Sequence, residues 1–455
     1  MHRFFILCFL LNCILVADGD VITIILDPSE ITGEIKPLLG VNAGPSPIGD
    51  HQNPILTNQY HSIGIRSIRN HDIYRAHSMS SIYSDRNCNP EIRTCYNFSM
   101  SDASFATIIE GGFEPYFRIG DGYDMVNPPD PQEYENWSDA AMKVISHYRE
   151  GLWDGFSSGI RYVEIWNEPD NTHFWPKPHK REDFFQLYSI TAKKIKAAFP
   201  NLKIGGPGVT QSAIKTEYGK QFIRSFLAFI KKNNVPLDFI SWHMYSNNPH
   251  DYEEAGIYFN SLLSEYGFEN VENHCTEYNT DTKQGKTGVS NFALRAGSFG
   301  AAILTGSWIS LQNCGVDQAF VYRGNDPSQN APEFYGIFYA NGRPKRSALA
   351  FSFWSEMSNY QKRISLQGLD ISHGIYAIAG LDSIGNIGVL LSNTNNAPQT
   401  LSIIVKGENC DLKKGFLVSD LSEHIQEISA DNNIFSIPPH SVLFIPIKRY
   451  YSVSW

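Results

Sequence analysis

Eight short runs rich in β-branched and aromatic residues recur along this chain, at 38–41, 65–69, 114–118, 162–166, 203–206, 238–243, 273–277 and 318–322. Polar loops and stretches of helical periodicity separate them. Such alternation calls for parallel strands, because a helical return brings the chain back to the edge from which it started. The clearest return is predicted over 183–199. Phe184, Leu187, Tyr188, Thr191 and Ile195 fall there at i, i+3, i+4, i+7 and i+11, one face of a helix that Pro200 stops. Further helices are predicted over 221–232, 252–266, 293–312 and 347–358. Eight strand–helix units predict an α/β chain folded as a (β/α)8 barrel. A doubly wound sheet also alternates, but it usually carries a Gly-rich phosphate loop after its first strand. Gly40-Val41-Asn42-Ala43-Gly44-Pro45 lacks that spacing. Gly205-Gly206-Pro207-Gly208 precedes no dinucleotide pattern and reads as a strand-end turn.

Helical periodicity stops near residue 360. The runs 375–379, 387–392, 401–406 and 441–447 are divided by Gly, Asn and Asp turns, as in a β-sandwich. The early run 21–26 is a candidate strand of the same unit. The expected organisation is a barrel over 37–357 and an accessory β-sandwich domain built from 20–36 plus 358–455.

At the amino end, Met1-His2-Arg3 is basic and 4–16 is almost wholly apolar, with Ala17 and Gly19 following. This reads as a secretory signal peptide over 1–19, directing the chain to secretion or to a lysosome-like compartment. No later segment resembles a membrane span. A net charge of −10 without a basic tract excludes the usual electrostatics of nucleic-acid binding. Of seven cysteines, Cys8 and Cys13 fall in the predicted leader. Cys88 and Cys95 flank a polar loop and are candidates for a bridge, Cys275 and Cys314 for a second, which leaves Cys410 over. Their spacing matches no zinc site, and no cofactor is expected. Asn97-Phe98-Ser99 and Asn136-Trp137-Ser138 are N-glycosylation acceptor triplets.

Two acidic positions carry the chemistry. Glu164-Ile165-Trp166-Asn167-Glu168-Pro169 delivers an Asn-Glu pair into a proline, which cannot donate to a ladder and so ends the strand. Glu277 ends the seventh run. In a (β/α)8 barrel the carboxyl ends of the strands form the site, and strands four and seven stand nearly opposite each other. Two facing carboxyls are the equipment for cleaving a glycosidic bond.

Trp166-Asn167-Glu168-Pro169, Asp238-Phe239-Ile240-Ser241-Trp242-His243-Met244-Tyr245 and Thr276-Glu277-Tyr278-Asn279-Thr280 resemble clan A glycoside hydrolases, most of all glycoside hydrolase family 39, which contains β-xylosidases and α-L-iduronidases. Gly64-Ile65-Arg66 with His71, Phe174-Trp175, Gly205-Gly206-Pro207 and Gly342-Arg343-Pro344-Lys345 extend the likeness across residues 36–357. The resemblance implies Glu168 as acid/base and Glu277 as nucleophile, with Glu168 the weaker acid. It implies Asn167 as a ligand of the sugar 2-hydroxyl, Tyr245 as the hydroxyl that orients the nucleophile, and His71 and His243 as sugar ligands. Phe174 and Trp175 are candidates for an aromatic wall. The substrate is expected to be a carbohydrate, best guessed a β-xyloside cleaved from the chain end.

Two positions depart from the family's pattern. His71 is followed by Asp72 where a glycine is usual, and strand eight runs into Val321-Tyr322-Arg323-Gly324-Asn325-Asp326. Arg323 has the geometry to hold an anionic sugar substituent, as in an iduronidase-like enzyme, or else to pair with Asp326 or Asp72. Rival readings are a non-catalytic carbohydrate-binding barrel and a metal hydrolase using His71, Asp72 and His243. The oligomeric state is not encoded in these patterns.

Overall fold

The computed structural model describes residues 21–47, 53–281, 291–328, 334–408 and 412–449. The predicted leader and Cys410 lie outside them. After β1 (Ile22–Glu34), eight parallel strands follow: β2 (Gly40–Asn42), β3 (Ser67–Arg69), β4 (Glu114–Ile119), β5 (Tyr162–Ile165), β6 (Lys203–Val209), β7 (Phe239–Tyr245), β8 (Glu272–Asn279) and β9 (Gln318–Val321). They close in sequence order, with β9 pairing back onto β2. All eight coincide with the predicted runs. The floor of the barrel is an aromatic plug, Tyr116, Tyr162, Phe239 and Phe320, all buried and contributed by β4, β5, β7 and β9. His274 stacks on Phe239 with ring centroids 4.5 Å apart and is fully buried. The lower interior is therefore packed with rings.

Period-two alternation fixes what stands above the plug. Tyr162 and Glu164 point inward from β5, as do Ser241, His243 and Tyr245 from β7. β8 breaks its own alternation. Its register against β7 slips between Cys275 and Glu277, so Thr276 is a β-bulge residue. The bulge turns both Thr276 and Glu277 toward the axis.

Two expectations are corrected here. Gly205-Gly206-Pro207-Gly208 is not a turn but the body of β6. A Cβ at Gly205 would stand 2.1 Å from the carbonyl oxygen of Phe239, so the glycine lets β6 lie against β7. The helix predicted over 293–312 is two, Asn291–Ala296 and Ser298–Asn313, broken at the extended Gly297. Asp420 accepts the Ser298 N–H at 2.8 Å and so supplies the second helix with a fresh amino-terminal acceptor.

The remaining strands are β10 (Lys362–Gln367), β11 (Ile375–Leu381), β12 (Ile387–Asn393), β13 (Gln399–Val405), β14 (Lys414–Val418), β15 (Gln426–Ser429), β16 (Ile434–Ile437) and β17 (Ser441–Ile447). With β1 they form one nine-stranded sheet in the order β15-β14-β17-β12-β11-β10-β1-β13-β16. β1 lies inside it, antiparallel to β10 and parallel to β13. The sheet folds over on itself: a Cβ at Gly415 on β14 would touch Phe435 on β16, at the opposite end of the order. Ile387, Val389 and Leu391 of β12 and Leu443, Ile445 and Ile447 of β17 face that internal core. The alternate residues Leu390, Val442 and Phe444 join the barrel's core instead. Both faces of β12 and β17 are thus covered, which explains their unbroken apolar runs.

Cys88 and Cys95 form a disulfide. Cys275 and Cys314 are free and buried, so the second candidate bridge is not made. Among the described residues no helix is long and apolar enough to cross a membrane.

Phe444 is 4% exposed and stacks on Phe353, in the helix Arg346–Met357, with centroids 5.8 Å apart. Phe444→Ala is expected to cost about 3–5 kcal/mol in urea unfolding, the range for large-to-small changes in a core that cannot collapse.

Candidate active site

Arg69, the last residue of β3, is fully buried at the centre of the barrel mouth. Its Nε donates to Glu164 at 2.6 Å. One Nη donates to Asn42 at 2.9 Å and to Glu277 at 2.8 Å. The other donates to Asn167 Oδ1 at 2.7 Å. One guanidinium thus ties together residues from β2, β5, β8 and the loop after β5. Thr276 donates to the remaining Glu164 oxygen at 2.9 Å. Burial opposes the charge on Glu164, but Arg69 and His243 outweigh it and hold the carboxyl below its ordinary value. Burial likewise opposes the Arg69 charge, and Glu164 and Glu277 more than restore it.

Glu168 reaches the site by a different device. The chain leaves β5 through two residues in the left-handed region, Trp166 at φ 74° and Glu168 at φ 45°. Each costs on the order of 1–3 kcal/mol for a non-glycine residue. The turn is held by buried packing: Trp166 stands edge-on to Trp175 at 5.3 Å and donates its indole N–H to the Phe174 carbonyl at 3.1 Å. The Glu168 N–H donates to Gly208 on β6 at 3.0 Å. Its side chain, 13% exposed, then lies against His243 Nδ1 at 2.8 Å and accepts from the Asn171 amide at 2.9 Å.

The two glutamates therefore face each other. A carboxylate oxygen of Glu168, one of Glu277 and a ring nitrogen of His243 all lie within 4.8 Å of one another. Glu277 accepts from Tyr245 OH at 2.8 Å on one oxygen, while the other, besides Arg69, stands 3.3 Å from His71 Nε2. Burial, and next the charge of Asp170, push Glu168 up to about 8. Burial raises Glu277 as well, while His243 and Arg69 pull it back. The two environments differ: Glu277 sits on a fixed cation and a phenol, Glu168 on an imidazole and an amide. Burial, and then Arg69, hold His71 well below the ordinary value, so its ring is neutral.

The same donor triad has the spacing of a metal site. Its oxygens, however, already accept from Arg69, Tyr245 and Asn171, and the Arg69 charge beside Glu277 repels a cation.

A cavity of about 640 Å³ opens above the pair. Asn167, Glu168, Glu277, His71, Tyr245, Phe174 and Arg323 line it as the sequence suggested. His243 lies behind the two carboxyls, which it touches. Trp175 lines a neighbouring, smaller cavity instead. Its indole N–H is turned to the Lys180 carbonyl at 2.8 Å. Arg323 pairs with neither of its expected carboxylates. Lys345 takes Asp326 at 2.7 Å, both fully buried. Among the described residues Arg323 Nη2 donates only to the Asp72 carbonyl, at 2.5 Å, and its Nε has no partner.

Sequence reasoning overlooked Arg69, Glu164 and Asn42 as members of the site. The signal for the first two was available: a charged residue inside an otherwise apolar parallel strand must find a partner within the barrel. Asp72, at φ 52°, accepts from Tyr322 OH at 2.7 Å and from the Tyr123 N–H at 2.9 Å, clamping three loops at the cavity rim.

Fold and site together define a class: (β/α)8 proteins with paired glutamates at the carboxyl ends of the fourth and seventh barrel strands. Residues 41–278 match Glycosyl hydrolases family 39, and the chain belongs to that family. It is 30% identical over 253 residues to a β-xylosidase of Geobacillus stearothermophilus, a stretch covering 48% of this chain and 47% of that protein. It is 29% identical over 123 residues to the α-L-iduronidase of Mus musculus, covering 25% of this chain and 18% of that one. The chain thus spans no more than about half the length of these curated relatives. The fold is shared with a glucosidase from Croceicoccus marinus, at TM-score 0.75 and 20% identity over 95% of this chain and all of that one. A monomeric β-xylosidase from Caulobacter crescentus CB15 superposes at TM-score 0.68 and 16% identity, covering 94% and 99%.

Arg69→Met leaves Glu164 buried without its cation. It is expected to lower unfolding free energy by about 3–5 kcal/mol, as for other broken buried pairs, read in urea titrations. Arg69→Met with Glu164→Gln is expected to recover part of the loss.

Proposed function

We propose that this chain is a retaining glycoside hydrolase, Glu168 its acid/base and Glu277 its nucleophile. The observation that carries the reading is the short approach of the two carboxyls, within 4.8 Å at their nearest oxygens. Retaining sites hold their carboxyls about 5–5.5 Å apart, whereas inverting sites leave about 6.5–9.5 Å for a water. In the first step Glu277 Oε attacks the anomeric carbon, the bond to the leaving oxygen breaks, and Glu168 gives that oxygen its proton. In the second, Glu168 takes a proton from water. The resulting hydroxide attacks the anomeric carbon and frees the Glu277 carboxylate.

The neighbours fit this division. Arg69 occupies Asn167 Oδ1 and so fixes the amide, whose Nδ2 is buried at the cavity without a partner among the described residues. It is placed to donate to the sugar 2-hydroxyl, a contact that strengthens in the transition state. Tyr245 and Arg69 together restrict the rotation of Glu277. His71 serves the sugar as a neutral ring, and His243 links the two carboxyls.

The sugar is best read as a β-xyloside released from a chain end, since a β-xylosidase is the relative with the longest match reported above. A second reading, an anionic sugar of the iduronide kind, is favoured by Arg323, which is 4% exposed on the cavity wall and free of carboxylate partners among the described residues. A binding protein without turnover is the rival from another class, disfavoured by the polarised carboxyl pair. We assign the chemistry to residues 37–357, support to 20–36 plus 358–455, and the route to secretion or a lysosome-like compartment.

A panel of aryl β-xyloside, β-glucoside, β-galactoside, α-L-arabinoside and α-L-iduronide substrates tests the reading. Glu277→Ala is expected to abolish turnover, and Glu168→Gln to slow it by about 10²–10⁴-fold on poor leaving groups. Hydrolysis that survives in Glu277→Ala removes the nucleophile from this scheme.

The pH profile of kcat/KM follows from the two carboxyls. Glu168 works protonated, so the rate is expected to fall as pH rises through about 8. Glu277 works ionised, and because burial raises it the acid limb is expected above the ordinary glutamate range. The limbs belong to the coupled pair. Glu168→Gln is expected to erase the alkaline limb.

A further inference from the structure

A second cavity, of about 200 Å³, lies beside the first on the acid/base side. Asn171 lines both. Its amide is the group that holds Glu168 at 2.9 Å, so the two cavities meet at the residue steering the proton donor. In the reaction above, the leaving oxygen departs toward Glu168. The second cavity therefore stands where the leaving part of a saccharide continues.

Its wall is cationic, on a chain whose net charge is −10. Lys177, Lys180 and Arg181 line it against a single acid, Asp170. Asp170 is 6% exposed and already accepts from the Thr210 N–H and hydroxyl and from the Ser212 hydroxyl. Arg181 is paired with Glu182 at 2.7 Å. Lys177 and Lys180 form no ion pair among the described residues.

These lysines ride on a pinned loop. Buried Trp175 accepts the weight of its packing against Trp166 and bonds the Lys180 carbonyl at 2.8 Å. The helix Arg181–Ala198 starts at the cavity edge and adds the positive end of its dipole. Across from it, Tyr218 is 55% exposed and offers a flat ring to a sugar face.

We propose that this cavity is a subsite for an anionic group, a carboxylate or a sulfate ester, on the leaving-group side of the saccharide. The proposal rests on the glycosidase reading and names the class of substrate it serves. Charge attraction from two unpaired ammonium groups selects the acidic sugar, and the pinned loop holds them in place.

The test is equilibrium binding to the full chain by calorimetry, with three probes of equal length: a short oligouronide, a sulfated oligosaccharide and a neutral xylo-oligosaccharide. At low salt at least one acidic probe is expected to bind about tenfold tighter than the neutral one, with the advantage shrinking as salt rises. The uronide and sulfate arms identify which anion is preferred. Lys177→Ala/Lys180→Ala is expected to remove the preference; both side chains are exposed, so the fold does not depend on them. Equal binding of all probes, or a preference that persists in the double variant, overturns the subsite. Turnover of aryl glycosides without acidic preference sinks the subsite and leaves the glycosidase; acidic preference without turnover on any aryl glycoside does the reverse.

Discussion

One guanidinium organises the mouth of this barrel. Arg69 is fully buried, so its charge is stable only because Glu164 and Glu277 stand against it. The converse holds as well: two carboxylates in one dry mouth repel each other unless a fixed cation lies between. Glu164 supplies neutrality, and Glu277, the proposed nucleophile, shares the same cation. Asn42 and Asn167 accept two more of its five N–H donors, so its position is fixed by four strands or loops at once. The place of Glu277 in space is thus a property of the barrel's closure and not of its own strand.

Glu168 is governed by the opposite logic. It is kept away from the cation, among His243 and Asn171, where burial raises its proton affinity. Getting it there takes two left-handed residues in succession of three, Trp166 and Glu168, held by an aromatic cluster. Strain at the donor and electrostatic tension at the nucleophile are both carried by packing elsewhere. The folded-over sheet contributes to that packing, since β12 and β17 present alternate residues to the barrel helices and Asp420 caps one of them.

Much of this was legible in the chain. Strand and helix periods are local, so eight runs and their crossovers could be read directly, and closure follows from there being eight of them. Pro169 marked the strand end beside Glu168, and the Asn-Glu pair, Tyr245 and His71 arrived in the cavity as expected. Other features had no local trace. The bulge at Thr276 shifts the inward face by one residue, and only the pairing of β8 with β7 reveals it. Gly205 looked like a turn because the Phe239 carbonyl that demands it is 34 positions away. Arg323 looked like half of a salt bridge because sequence cannot show that Lys345 reaches Asp326 first.

The amino-acid order by itself determined the architecture, the strand-end positions of the acidic residues and the family. These rest on periodicity, on backbone chemistry at proline and glycine, and on motif spacing, all short-range properties. Tertiary structure alone decided how far apart the two glutamates stand, which of them faces a cation, and that a cavity lined by two lysines opens beside Glu168. Distance and dielectric arise only when segments remote in the chain exclude water together, and no short stretch of residues contains that information.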